Sequence, residues 1–529
     1  MAADNLNSPV SPSSTGTCSL GAAQGRWILA ATLLASSSSF ILWSSVSIAL
    51  PAIQESFGSN VAGLQWVVNA HLLTLAALLL IGGALGDRYG RRKIFLIGMS
   101  VFAAGAIASG FASSISQLIL LQALQGVGSA LMVPQSLAII NVCFRDTERG
   151  RAIGLWAGVS GGIAALGPWL GGWLVETSGW PVVFWMVLPV IGLAMVVTVR
   201  FVPENQERAA KKLDWPGTIF IFLGLLGIAF GLIAGPNSGW GSPLVLSSLF
   251  LGGASLFAFI IMEKRTSAPL IPLGLFKNPL VFGANVVTLL LYFAFNGVIL
   301  FSVLNLQQIQ GYSPSQTGLG LLPPTIIITL LAAPAGALAD KFGPRPQMIG
   351  GPLVAGLGIA LLMTGGTDAA YFRHFLPGLI VIGIGMAMVI APLTKSALTV
   401  NPGSSGAASG VNNAIARTAG LLAVAVLGAF MLLIFTPTLR QTIQSSALSP
   451  TQQTAILSQS DRLGGIVIPA DFSESAKAAS QNAISGSYII SFRWTMGLCF
   501  LLVLSASAVS YYTIEWKNQY GNRIYTDRE

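Results

Sequence analysis

A series of apolar runs constrains this chain more than any other feature, because each run is about as long as the ~20 residues that cross a bilayer as a helix. Of the 529 residues, 9% are charged, whereas soluble domains carry about 25% charged residues. The runs predict an all-α membrane protein with an even number of spans. Fourteen are expected, at approximately 27–51, 64–84, 94–113, 117–140, 152–175, 181–202, 215–235, 243–262, 279–307, 315–338, 347–365, 373–395, 407–435 and 488–513.

The basic residues set the expected orientation, since Lys and Arg near span ends stay on the cytoplasmic side. With both termini cytoplasmic, most of the 27 Lys and Arg lie inside, and those outside are Arg373, Arg440, Arg462 and Lys477. The net charge of +9 is scattered over the loops, which favours contacts with a lipid bilayer over nucleic-acid binding. We expect a multi-pass plasma-membrane protein, in a bacterial inner membrane.

A basic turn, Gly83-Ala84-Leu85-Gly86-Asp87-Arg88-Tyr89-Gly90-Arg91-Arg92-Lys93, follows the second expected span. A degraded copy from Gly336 to Arg345 follows the tenth span and keeps Gly, Ala, Leu, Asp and Gly at the same spacing. The repeat indicates an internal duplication. The turn resembles the signature loop of the major facilitator superfamily, and this resemblance implies the major facilitator fold, with two six-helix bundles around a central cavity.

The duplication and the resemblance together predict the domain organisation. The two copies of the turn are eight spans apart, which equals six spans plus an inserted pair. The expected parts are a disordered cytoplasmic tail at 1–26, an N-terminal six-helix bundle at 27–202, a linker with two inserted spans at 203–278, a C-terminal six-helix bundle at 279–513 with an external loop at 436–486, and a cytoplasmic tail at 514–529. The external loop is expected to be partly helical or disordered.

The duplicated turn predicts a cytoplasmic gate. Glycines allow close backbone approach, and a carboxylate accepts from the start of a neighbouring helix or pairs with an arginine. Such an ion pair would hold the two bundles together when the cavity faces outward; the alternative is that these charges only set topology. The candidate gate residues are Gly83, Asp87, Arg88, Gly90, Arg92 and Asp340.

The fifth span contains the sequence Gly167-Pro168-Trp169-Leu170-Gly171-Gly172. Gly167, Pro168, Gly171 and Gly172 resemble the antiporter motif of drug exporters. From about residue 27 to 436 the chain is similar to the fourteen-span drug:proton antiporters of the EmrB/QacA type. The resemblance implies secondary transport.

Two positions depart from that family. Leu42 stands where the first span usually has an aspartate, and Gln122 stands where the fourth usually has an arginine. All acidic residues fall in loops, tails or span ends, so a proton would be carried by His71, whose reference pKa is ~6.5, by the substrate, or by a peripheral acid such as Asp87. A lone membrane histidine is often a hydrogen-bonded structural residue instead.

Arg417 is expected near the middle of the thirteenth span, where a charge is costly. Backbone carbonyls, polar side chains such as Asn413, or an anionic substrate or lipid headgroup would have to satisfy it. The candidate cavity and coupling residues are Ser47, Asn69, His71, Gln122, Gln125, Gln307, Asn413 and Arg417.

The most favoured function is export of an amphipathic or hydrophobic small molecule, with proton coupling left open. The alternatives are an exporter or flippase of a lipid or other anionic amphiphile, and a transport-inactive membrane sensor or partner subunit. No nucleotide-binding loop or catalytic constellation is present, so neither an enzyme nor a cofactor is expected. Cys18, Cys143 and Cys499 lack metal or disulfide spacing, so no metal site is expected. The chain is expected to be monomeric.

Overall fold

The computed structural model describes residues 18–205, 213–266, 269–399 and 405–514. These residues form helices and no β-sheet, which confirms the all-α expectation. The α-helices are α1 Ala23–Phe57, α2 Val61–Tyr89, α3 Arg91–Ser109, α4 Ile115–Cys143, α5 Asp146–Ser178, α6 Pro181–Trp185, α7 Leu188–Phe201, α8 Trp215–Ser238, α9 Pro243–Arg265, α10 Pro279–Leu304, α11 Pro314–Gly320, α12 Leu322–Phe342, α13 Arg345–Leu362, α14 Leu376–Ala397, α15 Ser405–Gln444, α16 Pro450–Leu457 and α17 Glu474–Thr513.

Thirteen helical segments of the described chain are long and apolar enough to cross a membrane. They match the expected spans except the eleventh, at 347–365. The helix α13 occupies that place, but Arg345 and Gln347 lie within its 18 residues and lower its mean hydropathy. It nevertheless packs against α14 and α17, as a bundle helix does. The structure therefore does not confirm the count of fourteen spans.

Helices extend further than the apolar runs at three places. The helix α1 begins at Ala23, and Cys18 is buried and donates its backbone N–H to the Cys143 carbonyl at 3.0 Å. The expectation of a disordered tail through residue 26 is therefore wrong for residues 18–26, whereas residues 1–17 lie outside the described part. In the expected external loop at 436–486, α15 continues to Gln444 and α17 begins at Glu474. That segment is mostly helical.

Each half of the chain packs its own helices together. The helices α1–α7 form the first bundle, in which Gly98 and Gly128 bring α3 and α4 into close contact. The second bundle contains α10–α15 and α17, and Gly358 and Gly378 bring α13 and α14 together in the same way. Small residues at such crossings let membrane helices approach closely. Corresponding helix pairs thus meet alike in both halves, as an internal duplication predicts.

The helices α8 and α9 form a hairpin between the two bundles in sequence. Gly227 and Gly252 lie at their crossing. The hairpin packs through α8 against both α2 and α15, and the Phe230 ring lies 6.1 Å from the Trp66 ring. The hairpin therefore covers the place where α2 of the first bundle meets α15 of the second.

Candidate functional site

The two bundles meet along two seams. The first seam joins α2 and α15. We call the side of the molecule that carries the 83–93 turn the turn side, and the other the far side. Near the far side, Gln65 Nε2 donates to the Val424 carbonyl at 2.5 Å. Midway, Gly420 lies against Leu72, and toward the turn side Gly410 lies against Leu80. The first seam is therefore in contact along most of its length.

The second seam joins α5 to α11 and α12, and its close contacts are on the far side. Gly172 lies against the backbone of Pro314, and Gly318 lies against the backbone of Pro168. The Glu176 carboxylate accepts from the Ser313 hydroxyl at 3.0 Å and from the backbone N–H of Ser315 at 3.3 Å. These contacts close the space between the bundles on the far side.

The second seam is open on the turn side. Between residues 150 and 163 of α5, only Ala152 and Ser160 are buried. Between residues 325 and 342 of α12, Ala335 and Ala339 are the buried residues among those described. Each helix thus keeps one narrow packed face there, and nothing lies within 4 Å of the Cβ position of Gly158. The turn-side halves of α5 and α12 are therefore largely exposed, in contrast to the close contacts on the far side.

The turn itself holds an ion pair within the first bundle. Asp87 Oδ1 accepts from Arg91 Nε at 2.9 Å and from Nη2 at 2.7 Å. Asp87 lies in the last turn of α2 and Arg91 begins α3, so the pair spans the Gly90 corner. In this conformation, with the turn side open, the pair joins two helices of one bundle and not the two bundles.

A carboxylate that the sequence did not single out binds the start of α3. Glu204 accepts from the backbone N–H groups of Arg92 at 3.1 Å and Lys93 at 3.2 Å. Gly90 has φ of +105°, and a Cβ there would meet the Glu204 carboxylate. The corner therefore requires glycine for both its backbone angle and its space.

The other gate candidates lie on the same face or in the second copy. Arg92 Nη2 donates to the Val199 carbonyl at 2.6 Å, and the Arg88 guanidinium lies 5.6 Å from the Tyr89 ring centroid. A Cβ at Gly83 would lie 3.8 Å from Pro134. Asp340 is on α12, and its side chain lies outside the described part of the structure.

The Gly167–Gly172 segment lies where α1, α5 and α11 cross. Pro168 lacks the N–H that would bond the Ala164 carbonyl one turn earlier, and the Ser44 hydroxyl donates to that carbonyl at 3.0 Å instead. Ser45 donates to the Gly167 carbonyl at 2.7 Å. Gly171 lies against Ser45 on the same face. Two serines of α1 thus satisfy the backbone that the proline interrupts.

His71, Leu42 and Gln122 line one small pocket between α1, α2 and α4. Leu42 and Gln122 are the two positions at which the sequence departs from the antiporter family. They therefore lie beside His71, the one histidine that the sequence places inside a span. Gln122 Nε2 is buried without a hydrogen-bond partner among the described residues, and both amide atoms of Asn69 are in the same situation.

The remaining cavity candidates already have hydrogen-bond partners. Gln125 donates to the Ser109 hydroxyl at 2.7 Å within the first bundle. Asn413 donates to the Ser409 carbonyl at 3.0 Å, one turn earlier in α15. Two of the candidates lie toward the far side: Gln307 donates to the Ile48 carbonyl at 3.0 Å, across the bundles, and Ser47 donates to the Trp43 carbonyl at 3.4 Å.

Arg417 lies between the bundles. Its guanidinium carbon is 5.3 Å from the centroid of the Phe40 ring on α1. The Trp156 ring of α5 lies 6.4 Å from Phe40 in an edge-on arrangement. Asn413 is not the partner of Arg417 in this structure. Phe40 of α1 is therefore a neighbour of both Arg417 of α15 and Trp156 of α5.

The profile described as Major Facilitator Superfamily matches residues 32–425. The chain belongs to the major facilitator superfamily. It is a multi-pass membrane protein of transporter type, as its apolar helices and its two bundles indicate.

Among its relatives, this facilitator is similar to drug-resistance and export proteins. It is 37% identical over 388 residues to the puromycin resistance protein of Streptomyces alboniger, which covers 72% of this chain and 77% of that protein. It is 35% identical over 393 residues to the tetracenomycin C resistance and export protein of Streptomyces glaucescens, covering 73% and 72%. It is 32% identical over 415 residues to the multidrug resistance protein Stp of Mycobacterium tuberculosis, covering 77% and 76%.

Solved structures show the same fold. A bacterial homologue of the human lysosomal transporter Spinster, solved inward-facing and unoccupied, aligns with a TM-score of 0.65 at 17% identity, covering 94% of this chain and 99% of that chain. The inward-open xylose transporter XylE of E. coli aligns with a TM-score of 0.54 at 15% identity, covering 94% and 97%. The facilitator fold with two bundles is thereby confirmed.

Several site residues of this facilitator gave no signal in the sequence. Glu204 is more than a hundred positions from the backbone it binds, and Ser44 and Phe40 are ordinary residues of an apolar helix. Their roles depend on which helices are neighbours. Arg91, in contrast, lies four positions after Asp87, a helical spacing at which opposite charges often pair.

Proposed function

We propose that this facilitator exports amphipathic or hydrophobic compounds from the cytoplasm, with the turn side facing the cytoplasm and both termini on that side of the bacterial plasma membrane. The observation that carries the proposal is the asymmetry of the second seam, in which α5 and α11 are in close contact on the far side while the turn-side halves of α5 and α12 are exposed. We infer from it a cavity that is closed on the far side and open on the turn side. The similarity to resistance and export proteins supports the same direction. The positive-inside bias of the loops supports the orientation.

The proposed mechanism is alternating access at the second seam. The far-side contacts of α5 with α11 break, and the turn-side halves of α5 and α12 approach each other. In that outward-open state, the Asp87 turn would reach the second bundle and act as the gate. The first seam, covered by α8, holds the bundles together throughout.

The export proposal is tested with the purified full chain in proteoliposomes. Efflux of a fluorescent amphipathic dye is recorded with and without an imposed pH gradient, and empty liposomes are the control. Export predicts protein-dependent dye movement. Absence of movement with several dyes, from protein that elutes as a folded species, would contradict the proposal and favour a sensor or partner subunit.

Proton coupling, if present, is proposed to use His71, because it lines the pocket that Leu42 and Gln122 also line. His71→Gln keeps hydrogen-bonding capacity and removes titration. The variant should lose accumulation driven by a pH gradient and keep downhill exchange. Undiminished uphill transport would exclude His71 and leave the substrate or a peripheral acid such as Asp87 as the carrier. A wild type that does not respond to the gradient would exclude proton coupling altogether.

A further inference from the structure

The position of Arg417 calls for a compensating charge. It lies twelve residues after the first residue of α15, which is about 18 Å along the helix axis, so we expect it within the ~30 Å hydrocarbon core. A cation at this depth is costly unless an anion or several acceptors surround it. The sequence places every acidic residue in a loop, tail or span end.

The surroundings of Arg417 supply little of that compensation. Within the described residues its guanidinium forms no hydrogen bond or ion pair, and it lies over the Phe40 ring. His71 of α2 and Tyr292 of α10 lie near enough to interact with it electrostatically. Neither is a carboxylate. A cation over an aromatic face is worth about 0.5–2 kcal/mol, which is less than the cost of its burial.

The site is accessible and bounded by aromatic faces. Arg417, Phe40 and Trp156 are all half-buried, and Trp156 lies in the largely exposed half of α5. The Trp156 indole is held in place by its Nε1, which donates to the Ser36 hydroxyl at 3.2 Å. The rings of Phe40 and Trp156 are inclined by 69°. They offer one face and one edge to a flat ligand.

We propose that Arg417, Phe40 and Trp156 form a binding site for organic anions with a planar apolar body. The guanidinium donates paired hydrogen bonds to a carboxylate or sulfonate, and the rings pack against the apolar part. The inference rests on the proposed function, because it names the class of compound that the exporter binds. An anionic lipid headgroup has the same chemistry as the free ligand, and the test separates the two sources.

The test measures binding to the full chain in nanodiscs of phosphatidylcholine. The probes are pyrene-1-sulfonate and pyrene-1-methylammonium, which share one ring system and differ in charge. The wild type should bind the anion about tenfold or more tightly than the cation, since a charge-assisted hydrogen bond contributes about 1.5–3 kcal/mol. Arg417→Gln should lose that preference. Arg417→Lys should keep part of it. Arg440→Gln, an exposed arginine near the end of the same helix, is the matched control and should match the wild type.

A second set of nanodiscs contains phosphatidylglycerol. If this lipid weakens binding of the anionic probe to the wild type but not its residual binding to Arg417→Gln, the site binds an anion and a headgroup is its competitor. If the lipid has no effect, the anion site is specific for free compounds. Equal affinities for both probes in the wild type, or an unchanged preference in well-folded Arg417→Gln, would overturn the inference.

Transport of the two probes distinguishes this inference from the export proposal. Export of both pyrene compounds without an anion preference would support the export proposal and contradict the proposed anion site. Anion binding that depends on Arg417 without any transport would support the anion site and contradict the export proposal.

Discussion

The two seams between the bundles differ in where along their length the helices are in contact and in what covers them. The first seam is in contact from Gln65 to Leu80 and is covered by α8 of the inserted hairpin. The second seam has its close contacts between the far ends of α5 and α11, and its turn-side half is open. The hairpin therefore lies at the seam that is already closed, and the cavity communicates with the turn side through the other.

The contacts of the two seams also differ in chemistry. In the first seam, Leu75, Leu79 and Ala414 are buried together, so that apolar side chains of α2 and α15 form a continuous packed surface. The second seam is held by the polar contact of Glu176 with Ser313 and by the backbone contact of Gly172 with Pro314. A small polar contact is easier to break and remake than a packed surface. We therefore infer that the first seam acts as the hinge and the second seam as the gate.

Asp87→Asn should have the largest effect, because it removes the carboxylate that pairs with Arg91 in this state and that we propose as the gate in the other. Transport in proteoliposomes should fall by about tenfold or more, in keeping with the loss of a charge-assisted hydrogen bond, while insertion and elution stay normal. Asp340→Asn should be milder, since the second copy of the turn has Lys341 and Pro344 where the first has two arginines. Equal loss in the two variants would show that the two turns contribute alike.

Gly172→Val tests the far-side closure of the second seam. Its side chain would meet the Pro314 backbone, and overpacking of this kind costs about 1–3 kcal/mol. Transport should fall by about fivefold or more, because the conformation in which the far side is closed is destabilised. Gly158→Ala is the control, since nothing lies within 4 Å of its Cβ position in the same helix. A normal rate for Gly172→Val in a transport assay would argue against this closure.

Ser44→Ala should have a smaller effect. It leaves the Ala164 carbonyl without the hydroxyl that replaces the missing Pro168 N–H, at a cost of about 1 kcal/mol. Thermal unfolding in detergent should shift down by a few degrees, and transport should fall by about twofold at most. Ser47→Ala is the control, because among the described residues the Ser47 hydroxyl bonds to its own helix alone. Equal melting temperatures for the two variants would contradict the role assigned to Ser44.

The bilayer explains why the sequence predicted most of the helices. A span must satisfy its backbone internally and must be apolar for about 20 residues, so a long apolar run is nearly sufficient evidence. Where the chain leaves the bilayer that evidence ends. The helical ends of α15 and α17 beyond the membrane contain many Ser, Gln and Ala residues, and they gave no apolar signal. Arg345 and Gln347 similarly weaken the signal of α13.

The site was predicted less completely than the fold, for a different physical reason. Gly90 and the Pro168 motif were found because they fix backbone geometry that the chain itself encodes. The partners of those positions, Glu204 and Ser44, depend on helices brought together by packing. The neighbour of Arg417 is likewise a phenylalanine of the other bundle. Sequence patterns indicate which residues need a partner, and only the packing of the bundles indicates which residue supplies it.

The contrast between the seams is tested most directly by cross-linking, in a chain whose Cys18, Cys143 and Cys499 are replaced by alanine. Glu176→Cys with Ser313→Cys joins the far side of the second seam, and Leu80→Cys with Gly410→Cys joins the first seam. We expect oxidation of the first pair to stop dye efflux and a thiol reductant to restore it. The protein with the second pair should remain active when oxidised. Full efflux with the second seam cross-linked, or a block only when the first seam is cross-linked, would contradict the contrast between the seams.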